Sequence, residues 1–106
     1  MPEWTDDLTI PLPPGRTVAE VVDFVLSGTL LGTSGDELDQ QLVTEFGLSH
    51  EDAELARDRS LGGLVRAATG NSRNQPDRGK DPMAWESFER GRRDPSLVAR
   101  IYPRLG

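Results

Sequence analysis

Residues 49–69 read SHEDAELARDRSLGGLVRAAT, and the rest of the chain is arranged around how this stretch behaves. At 3.6 residues per turn, Ala53, Ala56, Ser60, Gly63, Leu64, Ala67 and Ala68 fall on one broad face. Ser49 stands where an N-cap belongs and Asp52 holds the reciprocal position. Glu51 and Asp52 suit the positive end of a helix. A kink at Gly62-Gly63 is the competing reading. The apolar period persists through Leu64, Val65 and Ala68, so the spacing predicts one continuous rod from 50 to 68, about 30 Å long. Each glycine costs about 1 kcal/mol relative to Ala in a helix interior. That cost is tolerable if the small face lets another helix approach closely.

Outward from this rod, the same start and stop signals recur. Ser34 and Glu37 form a capping box, Leu38, Leu42 and Phe46 follow at helical spacing, and Gly47 stops the run, giving a helix near 35–46. Thr17 and Glu20 form another box and open a helix near 17–27. There Glu20, Asp23 and Ser27 make one narrow polar strip, while Val18, Val21, Val22, Val25 and Leu26 fill most of the remainder, so this helix is expected to be central. Gly28 and Gly32 punctuate its exit. Asp81-Pro82 and Asp94-Pro95 each place an N-cap before a proline at the first helical position. They start helices near 82–92, with Ala84, Trp85, Phe88 and Gly91 on one face, and near 95–102. Residues 1–16 contain prolines that forbid a helix and read as an extended arm laid over the body. Residues 69–81 carry no apolar side chain larger than Pro and read as a polar surface loop. The expectation is an all-α bundle of four to five helices over residues 17–106, with an extended Pro-rich N-terminal arm.

Composition bounds what such a domain does. The chain has 106 residues, enough for one domain. It has no cysteine, which removes disulfides, thiolate metal sites and thiol nucleophiles. The N-terminus lacks the layout of a signal peptide. Glu20 and Asp23 interrupt the longest apolar run, so no segment spans a bilayer. A cytoplasmic protein is expected. The net charge of −6 hides an asymmetry: residues 1–56 hold twelve acids and one base, Arg16, whereas 57–106 hold six acids and eleven bases. Either the halves fold against each other and the charges partly cancel, or the basic end meets an anionic partner.

Leu42 to Ala56 resembles a helix-turn-helix. Leu42, Phe46, Leu48, Ala53 and Ala56 surround the turn glycine Gly47, with Val43 where the motif usually has a smaller residue. The resemblance implies a DNA-binding regulator whose second helix enters the major groove. The charges argue against nucleic acid, because the first turn of that helix carries Glu51, Asp52 and Glu54, with His50 and no Lys or Arg.

The remaining chemistry lies in 57–81. Arg57 falls near the apolar face of the rod and must find a carboxylate or carbonyls. It is read either as a structural ion pair with an acid from residues 1–56 or as an anion-binding arginine in a cleft. Arg59 and Arg66 share the opposite face, and Arg73 follows in the loop, where Asn71, Asn74, Asp77 and Lys80 add donors and acceptors. No catalytic set is legible: Ser49 and Ser60 lack a matching His-Asp pair, and His50 stands alone without Cys, so neither a metal nor a cofactor is called for. The leading expectation is a non-enzymatic interaction or regulatory protein. Its basic face or polar loop would meet an acidic protein surface or its own acidic half, with a homodimer possible through exchange of Trp4. The alternative is a small phosphometabolite-binding or accessory enzyme subunit using the same 57–81 residues.

Overall fold

The computed structural model describes residues 10, 12–69, 75, 76 and 78–102, with the backbone alone at 69. These form five helices and no strand: α1 (Val18–Leu30), α2 (Gly35–Phe46), α3 (His50–Thr69), α4 (Pro82–Arg93) and α5 (Pro95–Ile101). Most of the extended arm, Trp4 included, lies outside the described residues. Ile10 is buried in the core, and Leu12 packs against it.

Four of the five helices begin on a side-chain cap; α5 starts at Pro95 as expected, but the Asp94 carboxylate accepts from the Ser96 hydroxyl and does not cap a backbone N–H. The Thr17 hydroxyl accepts from the Glu20 backbone N–H, and the Glu20 carboxylate accepts from the Thr17 N–H, both at 3.2 Å. Ser34 accepts from the Glu37 N–H and Ser49 from the Asp52 N–H. Asp81 accepts from the Ala84 N–H at the start of α4. Gly47 closes α2 in the left-handed region at φ 67°, a conformation open to glycine without steric cost.

The first helix runs three residues beyond its expected end. Gly28 remains helical, and the chain turns only at Gly32, φ 83°. The reason is tertiary: a Cβ on Gly28 would lie 2.5 Å from Leu38 Cδ2, so this glycine makes room for α2. It does not terminate the helix.

The predicted rod is continuous through Gly62-Gly63. Ala53, Ala56, Ser60, Gly63 and Leu64 are all buried. Gly63 and Leu64 meet α4, and α3 with α4 is the most extensive helix pair among the described residues. A Cβ on Gly63 would overlap the Ala84 carbonyl oxygen and lie 2.7 Å from Ser87 Cβ. One on Gly91 would lie 2.8 Å from Ala67 Cβ. The small residues of the two helices therefore interlock at the backbone, and the close approach buries the Ser60 and Ser87 hydroxyls without a hydrogen-bond partner among the described residues. Around this pair α1 contributes Val21, Val22, Val25 and Leu26, and α5 adds Val98. Both α1 and α3 touch the other four helices, as the largely apolar surface of α1 predicts, while α2 packs on α1 and α3 at the margin.

Candidate functional site

The arginines singled out by the sequence diverge. Arg57 points toward α2, where its Nε and Nη2 donate to the two carboxylate oxygens of Asp39 at 2.7 and 3.2 Å. The Asp39 side chain is only 2% exposed. The Asp39 hydrogen bond, opposed by burial, raises the guanidinium's pKa above its ordinary value. The same guanidinium lies flat over the start of α2, with Nη1 2.6 Å from where a Gly35 Cβ would stand. Here the acid comes from the N-terminal half, which is the structural alternative that the sequence leaves open for this residue.

Arg59 turns the other way. Its Nε and Nη2 donate to Asp81 at 3.4 and 2.5 Å, and that carboxylate also caps α4. The pair ties the middle of α3 to the start of α4 and so fixes where the intervening loop returns. Arg66 is half-buried and Lys80 exposed. Asn71, Arg73, Asn74 and Asp77 lie outside the described residues. The described part of the predicted site is thus not one cluster: Arg57 and Arg59 serve opposite flanks of α3.

A third arginine, not singled out from sequence, binds the halves together. Arg90 on α4 donates to Asp23 on α1, to Glu86 one turn away at 3.0 Å, and to the Ala19 carbonyl at 3.2 Å. Arg16 donates to Glu20 and to the Glu45 carbonyl, and its guanidinium carbon lies 4.8 Å from the centre of the Phe46 ring. The charge asymmetry of the sequence is therefore partly cancelled inside the molecule, by Arg57–Asp39 and Arg90–Asp23.

What sequence reasoning missed is a groove between α1 and α2. It measures about 470 Å³ and is lined by Phe24, Gly28, Leu31 and Phe46, with Glu20, Asp23, Ser27, Thr33 and Gln41 around them. The Phe24 and Phe46 rings meet edge to face at 5.5 Å and make its floor. Leu31 stands beside it 85% exposed, the most exposed large apolar side chain among the described residues. The signal was present in part: Glu20, Asp23 and Ser27 are the polar strip read from the period of the first helix, and they form the rim. The aromatic floor was hidden because Phe24 and Phe46 lie far apart in sequence and meet only when α1 and α2 dock.

The one histidine, His50, pairs with Glu54 at 2.9 Å on the exposed first turn of α3 and does not line the groove. No three His, Asp or Glu side chains among the described residues are placed to hold a metal ion. No helix among them is long and apolar enough to cross a membrane. No family model matches the chain, and no curated protein and no solved structure matches it.

Proposed function

We propose that this protein is a non-catalytic interaction protein whose α1–α2 face receives a positively charged partner. The observation that carries the reading is the charge of that face. From Thr17 to Ala56 the chain contains no Lys or Arg. Among the described residues, the arginines that reach α1 or α2 from outside this stretch, Arg16, Arg57 and Arg90, are engaged by Glu20, Asp39 and Asp23. Asp36, Glu37 and Glu45 remain exposed on it. A surface of one sign steers an oppositely charged partner and rejects a like-charged one.

The reading keeps the interaction role expected from sequence and moves the surface. Arg57 and Arg59 support intramolecular work, because each already holds a two-point carboxylate and an added anion would have to displace it. The carboxylates on the first turn of α3 weigh against a DNA duplex on the α2–α3 element.

The test is binding of a lysine-rich peptide and its glutamate-rich counterpart, followed by fluorescence anisotropy at low and physiological salt. The lysine peptide is expected to bind and to weaken about tenfold across that salt range, as exposed charge pairs do. Charge reversal at Glu37 and Glu45, both exposed, is expected to weaken it further. Equal binding of both peptides, or none of the lysine peptide, would count against the reading.

A further inference from the structure

We infer that the groove between α1 and α2 is the docking site for an amphipathic helix of another protein, one with aliphatic anchors and a flank of Lys or Arg. This rests on the interaction reading above and gives it a location and a partner chemistry.

The shape comes first. Phe24 and Phe46 form an aromatic floor, Gly28 leaves the α1 wall without a side chain, and Leu31 extends the apolar surface into solvent. A leucine this exposed at a helix end, beside an open groove of about 470 Å³, forms a surface that a partner completes. An open groove between two helices, with an aromatic floor and a polar rim, receives a third helix through side chains at i, i+4 and i+7.

The charge comes second, and it selects the occupant. Glu20 and Asp23 rim the groove on the α1 side, each already met by one arginine, and the exposed Asp36, Glu37 and Glu45 of α2 add negative charge to the same face. On the α2 side Gln41 is shared with the adjoining acidic patch of Glu37 and Glu45. Arg16 already shows how a cation sits here: it lies over the Phe46 ring while its guanidinium meets Glu20. A partner helix bearing Lys or Arg on its flanks repeats that arrangement along the rim, with its apolar face on the floor. An acidic helix offers the same apolar area against a repulsive edge, and a neutral one gains no attraction from it.

The probe is a fluorescein-labelled synthetic helix of about 18 residues, five turns, with Leu at helical spacing and Lys elsewhere. One control replaces its Leu by Ser and keeps the charge; another replaces its Lys by Glu and keeps the apolar face. Two groove variants are measured beside the unaltered protein: Leu31→Asp, at an exposed position where folding does not depend on the side chain, and Ser27→Trp, which fills the groove from its rim. Circular dichroism checks that both remain helical. The expected result is that the Leu/Lys helix binds more tightly than the Ser/Lys control, that each variant weakens it about tenfold or more, and that neither variant weakens binding of the Ser/Lys control. If the two lysine peptides bind equally and respond only to charge reversal at Glu37 and Glu45, the groove is overturned while the charged-face reading stands. If no lysine peptide binds, both fall. If sedimentation shows a dimer that Leu31→Asp dissociates, the occupant is a second copy of the chain and the assignment to another protein is overturned.

Discussion

Gly62 and Gly63 are neighbours in sequence and opposites in environment. A Cβ on Gly62 meets nothing within 4 Å, whereas one on Gly63 meets the α4 backbone at Ala84. Both have helical backbone. Gly62→Ala should therefore stabilise the protein by about 1 kcal/mol, the difference in helix propensity. Gly63→Ala gains the same propensity but forces α3 and α4 apart, and a carbonyl oxygen has no rotamer by which to yield. A net loss of about 1–3 kcal/mol is expected. Urea denaturation of the two variants should give midpoints displaced in opposite directions. Displacement in the same direction would mean that the α3–α4 contact is looser than the glycine requires.

At the scale of elements, the joints between helices are made by carboxylates with two tasks. Asp81 caps α4 and pairs with Arg59 from the middle of α3, and its side chain is 7% exposed. Asp81→Ala removes the cap and leaves the mostly covered Arg59 without its carboxylate, for an expected loss of about 2–4 kcal/mol. Asp81→Asn keeps an acceptor for the cap and for one Arg59 donor, and should lose less. Chemical denaturation of both variants in the wild-type and Arg59→Met backgrounds separates the tasks. The pair term shrinks when Arg59 is absent, and the cap term persists. The N-caps were readable in advance because a Ser, Thr or Asp three residues before its partner N–H is a local pattern. The second task of Asp81 was not, since its partner lies twenty-two residues away. Gly28 failed as a stop signal for the same reason: its use is a contact with Leu38 on another helix.

At the scale of the whole molecule, Tyr102 reports on the packing of the C-terminal end. It packs against the core, and burial, aided by the negative charge of Asp58, raises its pKa above 10.0. The folded state thus favours the neutral phenol. Stability from this source is full below about pH 10, the unfolded value, and is lost as pH rises through the higher folded value. Tyr102 is the only tyrosine, so Tyr102→Phe should flatten the alkaline limb of a Tm–pH profile; an unchanged limb would place its cause elsewhere. The same scale separates what was legible from what was not. Five helices, their starts, the continuity of α3 and its need for a close neighbour all followed from periodicity, capping and side-chain size. These are short-range properties of the polymer, set within one or two turns. The choice of Asp39 for Arg57 among the many acids of the N-terminal half, the parting of Arg57 from Arg59, and the aromatic groove between α1 and α2 were decided only in three dimensions. Each depends on the angle and offset at which helices dock. Those follow from the close contacts that Gly28 makes with the Leu38 side chain and Gly63 with the Ala84 backbone, and no local repeat records them.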